Sequence, residues 1–156
     1  MINIKEINTL VNNFRNAMDC ARANGEFNRI SPLNNFPIGC CDITCDLLGN
    51  YLAEYGVETY EIYGEYWDEI NEYSINHVWL VLSYDDIIDI TGDQFKYDEQ
   101  FFNYNKKVHV GKEENFHRLF AEKRFSENYM RLVGEDNVRR ETLNCAYEIV
   151  NKYLEK

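Results

Sequence analysis

Two short apolar runs, residues 78–82 and 87–90, constrain this 156-residue chain more than any other feature. Each has the length and the β-branched or aromatic content of a buried strand. Residues 83–86 between them have turn composition, so the pair reads as a hairpin. His77 stands at the head of the first run and Asp89 inside the second, twelve positions apart. Opposed residues in an antiparallel hairpin keep a constant sum. Pairing 77 with 89, or 79 with 89, puts His77 and Asp89 on one face; in the second register they are diagonal neighbours, roughly 7 Å apart at the backbone. A carboxylate set among three isoleucines is costly to bury unless something pairs with it, and the imidazole is within reach.

Upstream, Phe36-Pro37-Ile38-Gly39-Cys40-Cys41 opens a helical pattern over about 41–55. Cys41, Cys45, Leu48, Leu52 and Tyr55 share one side, and Gly56 ends it. A thiol in a first helical turn meets unpaired N–H groups and the positive end of the helix dipole, which favour thiolate. The same N–H groups can hold an oxyanion, and Gly39 lets a substrate backbone come close. Cys41, His77 and Asp89 therefore form the ordered set of a thiol nucleophile, its base and the base's orienter. Cys40 and Cys41 as plain core thiols under a glycine turn is the competing reading. A zinc set of Cys40, Cys41, Cys45 and His77 fits poorly, because structural zinc ligands come in spaced pairs and Cys40 and Cys41 are adjacent. No metal or cofactor is expected.

The remaining chain supports one domain. Residues 4–23 read as an amphipathic helix with Ile7, Leu10, Val11, Phe14, Met18 and Ala21 on one side. Residues 57–63 read as a strand. Residues 64–75 lack a clear period and read as an acidic, aromatic loop overhanging the site. A short strand at 107–110, a helix over about 113–125 with Phe116, Leu119, Phe120 and Phe125 inward, and a last helix over about 137–154 follow. Cys20 and Cys145 read as core thiols, and His109 and His117 carry no role. The expected fold class is α+β: a cysteine-bearing helix on an antiparallel sheet, flanked by helices at both ends.

The net charge of −11 is uneven: residues 30–95 hold thirteen Asp and Glu and no Lys or Arg. That disfavours nucleic acid and favours a neutral or cationic substrate, such as a peptide, a protein or a small amide. The first residues lack the apolar run of a signal peptide, and no stretch approaches a membrane span. Five cysteines, an odd number with two adjacent, suit reduced thiols. A cytoplasmic protein without membrane contact is expected.

Phe-Pro-x-Gly-x-Cys at 36–41, Asn-His-x-Trp-Leu at 76–80 and Ile-Ile-Asp-Ile-Thr-x-Asp-Gln-Phe at 87–95 resemble a group of small bacterial and phage domains similar to the papain-like and transglutaminase-like superfamily. Val108-His109-Val110-Gly111 and Phe116-His117-Arg118-Leu119-Phe120 extend the resemblance, which covers about 36–120. It implies a hydrolase or acyltransferase working through an acyl-cysteine, with Cys41 as nucleophile, His77 as base and Asp89 as orienter. The superfamily includes peptidases, amidases, deamidases and transglutaminases. It also includes inactive binding modules and toxin or effector domains. The resemblance implies a side-chain amide for the oxyanion from Asn34 or Asn35, with Gly39, Trp67 and Trp79 near the substrate. Asp42 and Cys45 depart from the group's pattern of glycine and a small hydroxyl residue, and Asp42 beside the thiol disfavours thiolate.

Overall fold

The structure, a computed structural model, describes residues 1–127 and 137–154. It is an α+β fold with four helices and one five-stranded antiparallel sheet in the order β4-β3-β2-β1-β5. The helices are α1 (Ile4–Ala23), α2 (Cys41–Glu54), α3 (Asn115–Arg118) and α4 (Asn137–Asn151). The strands are β1 (Tyr60–Asp68), β2 (Tyr73–Val81), β3 (Ile87–Asp89), β4 (His109–Gly111) and β5 (Glu122–Glu127). Among the described residues no helix is long and apolar enough to cross a membrane.

Alternation along the strands divides the interior in two. Val78, Leu80, Ile88 and Ile90 join the core built with α1, α2 and α4. Ile62, Trp79, Val81 and Ile87 point to the opposite face, where Phe95, Phe101, Tyr104, Phe116 and Phe120 close over them. One face is thus covered by helices and the other by aromatic side chains from irregular chain and the four-residue α3. In the β2–β3 ladder Leu80 pairs with Ile88 and Val81 with Ile87. The same sum carries Trp79 opposite Asp89, which makes His77 and Asp89 diagonal neighbours on the aromatic face.

Helix α1 starts where Asn3 accepts from the Lys5 and Glu6 N–H groups and Glu6 reaches back to the Asn3 N–H, a capping box. Its Arg15, on the buried side, makes two 2.8 Å bonds to the Asp93 carboxylate and donates to the Ile90 and Lys107 carbonyls. The guanidinium also lies 4.9 Å from the Phe36 ring centre. One side chain therefore ties α1 to the chain before α2 and to the chain after β3. A buried charge needs such complete partnering.

Several sequence expectations are corrected. Residues 64–75 are not a loop: β1 and β2 run through them, joined at 69–72. Asp68 builds that turn, accepting from the Ile70 and Asn71 N–H groups and the Asn71 amide. The hairpin extends beyond the core, so both its faces are partly wet and no apolar alternation marks it. The helix expected over 113–125 shrinks to α3, and β5 follows it. Phe125 is 70% exposed rather than inward. Val138 in α4 is exposed, as are Cys20 and Cys145, which are not core thiols.

Candidate active site

Helix α2 begins at Cys41, with Cys40 as its N-cap and Gly39 at φ +68° just before. A left-handed backbone there suits glycine, and a Cβ would meet no heavy atom within 4 Å, so the approach to the helix end is open. The two adjacent thiols differ. Cys40 is buried and accepts a long contact from the Thr44 hydroxyl at 3.8 Å. Burial pushes its thiol up to about 12, with Thr44 pulling the other way. Cys41 is half-buried at the first turn, where N–H groups lack intrahelical partners. Cys45, one turn on, is buried, donates to the Val78 carbonyl at 3.5 Å and is pushed well up by burial.

The His77 ring is fully buried among Trp79, Phe95, Phe116 and Phe120, with ring centres 5.2–5.6 Å away. Its Nε2 lies 2.8 Å from Asp89 Oδ2. An ionised carboxylate only accepts, so Nε2 carries hydrogen and Nδ1 is left for the site. Cys41 is close enough to act on the ring as well. Burial works to lower the His77 value, but the Asp89 charge and hydrogen bond, joined by Cys41, outweigh it and raise it to about 10. Burial would raise Asp89, yet His77 and His117 hold its carboxyl well below the usual range. The structure therefore joins His77 to Asp89 and has Cys41 near enough to act on the ring. Asp42, expected to disfavour the thiolate, accepts from the Ile43 N–H at 2.8 Å and sits 3.7 Å from the Arg139 guanidinium of α4.

The other sequence candidates fall elsewhere. Trp79 is buried in the aromatic core, so it shapes the His77 pocket rather than offering a substrate surface. Trp67 is exposed on β1, three residues past Gly64, which pairs with His77. That is about 10 Å along the strand. Asn34 and Asn35 are exposed, in the 3-10 turn Leu33–Asn35. The side-chain amide at the site comes from Gln94 instead. Its Oε1 accepts from the Gly39 N–H at 3.4 Å, while its Nε2 donates to the Thr91 carbonyl at 3.0 Å and lies 3.4 Å from His77 Nδ1. Gln94 thus spans the turn before the nucleophile and the ring of the base.

His117 is the second residue that sequence reasoning missed. It is fully buried, and its Nε2 is 3.0 Å from the same Asp89 oxygen that His77 uses. No spacing rule connects positions 89 and 117; the one available signal was the apolar setting of Phe116-His117-Arg118-Leu119-Phe120, which makes a buried, partnered imidazole. Among the described residues no group of three or more His, Cys, Asp and Glu could hold a metal ion.

A cleft of about 590 Å³ is lined by Tyr63, Gly64, Glu65, Asn76, Lys123 and Arg124, and by none of Cys41, His77, Asp89 and Gln94. Gly64 and Asn76 are the cross-strand partner of His77 and its chain neighbour. The arrangement can ionise a thiol against an imidazole, hold that imidazole in one tautomer and offer N–H groups to a developing oxyanion. No family model, no curated protein and no solved structure matches this chain, so its geometry is the ground for a functional reading.

Proposed function

We propose that this protein is a cysteine-dependent hydrolase or acyltransferase acting on an amide or thioester, in the manner of the papain-like and transglutaminase-like enzymes. The observation that carries the reading is the buried His77 ring, held by Asp89 at Nε2, with Cys41 at the start of α2 close enough to act on it. The Cys41 sulfur attacks the carbonyl carbon while its proton passes to His77 Nδ1. The tetrahedral oxyanion faces the first-turn N–H groups of α2 and the Gln94 amide. Collapse breaks the bond to the leaving amine or thiol, which takes the proton from His77 and leaves an acyl-cysteine. Water, or an acceptor amine, gives its proton to His77, attacks the thioester and releases Cys41. The acidic balance of residues 30–95, thirteen Asp and Glu with no Lys or Arg, suits a neutral or cationic peptide better than a polyanion.

A non-enzymatic binding module with the same fold is the second reading. Its support is the complete burial of the base and the Gln94 amide standing over its free nitrogen. Iodoacetamide labelling at neutral pH followed by peptide mass mapping separates the two. The enzyme reading expects Cys41 to react first, at least about tenfold faster than the exposed Cys20 and Cys145. It also expects Cys41→Ala to abolish the fast phase and Cys40→Ala to keep it. Cys41 reacting no faster than Cys20 and Cys145 sinks the enzyme reading.

A further inference from the structure

His117 is a buried titratable group that the acyl-transfer steps leave unused. The Glu114 backbone N–H donates to its Nδ1 at 3.2 Å, so the ring proton must sit on Nε2, where it donates to Asp89 Oδ2 at 3.0 Å. That oxygen also accepts from His77 at 2.8 Å, and Oδ1 accepts from the Thr91 N–H at 3.0 Å. Space around Oδ2 is closed: a Cβ on Gly92 would stand 3.0 Å from it and 2.5 Å from the Tyr104 ring. With the oxygen enclosed in this way, a side chain must fill the place that solvent would take around an exposed carboxylate.

The two histidines on this oxygen are not equivalent. His77 Nδ1 meets only the long 3.4 Å contact of the Gln94 side-chain amide, which can turn away, so it can take a second proton. The corresponding nitrogen of His117 is already an acceptor for a backbone N–H, and a proton there would set two N–H groups against each other. We propose that His117 is a positioning residue for the Cys41–His77 pair: locked in its Nε2–H form, it fixes the Asp89 carboxylate and tempers that carboxylate's pull on the His77 proton. The assignment rests on the proposed function only for its catalytic consequence. A carboxylate that loses a donor attracts its remaining partner's proton more strongly, so removing His117 should raise the His77 titration. The titratable groups facing the two rings are Cys41 from α2, Asp89 from β3, His109 from β4, and Tyr104 and Glu114 from the chain around α3.

The test is ¹⁵N NMR of the histidine rings in the whole protein between about pH 5 and 8, extended upward for His77. The His117 ring proton is expected on Nε2. In His117→Phe the His77 midpoint should rise by about half a unit or more, and the limb of the Cys41 alkylation profile governed by His77 should move with it. His117→Gln, which returns an N–H donor near the Nε2 position, should bring both back. An unchanged His77 midpoint in His117→Phe overturns the proposal. So does a wild-type His117 that carries its proton on Nδ1, a result that needs no variant to fold. Slow Cys41 alkylation in the wild type would count against the enzyme reading alone, since tautomer and midpoint are read independently of it.

Discussion

Asp89 concentrates the site's energetics in one side chain. Its two oxygens receive three N–H donors, from His77, Thr91 and His117. Asp89→Asn keeps the size but offers an N–H where His77 also presents one, so the His77 ring should change tautomer and turn an N–H toward the thiol. The expected result is a folded protein by circular dichroism whose Cys41 alkylation at neutral pH falls at least about 10²-fold. A variant that melts lower but alkylates at the wild-type rate would make Asp89 structural only. Cys40 shows how finely position decides chemistry. One residue before Cys41, it faces the interior, and burial suppresses its thiolate.

At the scale of elements, the site is assembled by segments that touch few regular structures. The 3-10 turn Gly92–Phe95 carries Gln94 to the mouth of α2, and Arg15 of α1 holds that turn through Asp93. Arg15→Met leaves the Asp93 carboxylate buried without its partner. It should destabilise by roughly 3 kcal/mol or more, read by urea unfolding. Adding Asp93→Leu should recover much of the loss, because the unpaired charge is then gone. If Arg15→Met alone is harmless, the clamp is not what fixes the turn. The β1–β2 hairpin behaves differently. Its outer half carries Trp67, Ile70 and Tyr73 exposed, and Asp68 serves the turn rather than the site.

Across the whole molecule, pH ties these groups to stability. His77 is raised to about 10, so what it contributes is complete below its ordinary 6.5 and is lost as pH climbs through 10. Glu61 follows the same sign. Burial raises it to about 10, helped by a hydrogen bond with Asp46, so the fold loses stability from its ordinary 4.5 upward. Asp89 has the opposite sign: held low, it stabilises above its ordinary 3.8 and gives that up as pH falls through its folded value. Melting temperature should therefore peak near pH 4, between the ordinary 3.8 of Asp89 and the ordinary 4.5 of Glu61, and fall steadily toward pH 9. Glu61→Gln imitates the neutral acid and should remove part of the alkaline decline. A melting temperature level from pH 5 to 9 would contradict both assignments.

The sequence by itself determined the order of chemistry along the chain and the parts that depend on short-range pattern. The thiol at a helix start follows from Gly39-Cys40-Cys41 and the 3.6-residue pattern after it. The shared face of His77 and Asp89 follows from their even separation in a hairpin whose turn holds an odd number of residues. Helix α1 follows from its apolar spacing and cap. The outer hairpin, β5 and the partners of Asp89 were not legible, because each depends on contacts distant in the chain. The acidic stretch is the clearest case. Read linearly it is uncompensated, yet Arg15 binds Asp93, Lys112 binds Asp86, and Arg139 binds Asp46. Coulomb interaction depends on separation in space, and chain order carries no record of it. Only the tertiary fold could bring His117 to within 3.0 Å of Asp89 and Gln94 to the mouth of α2, since neither neighbour is announced by any local period.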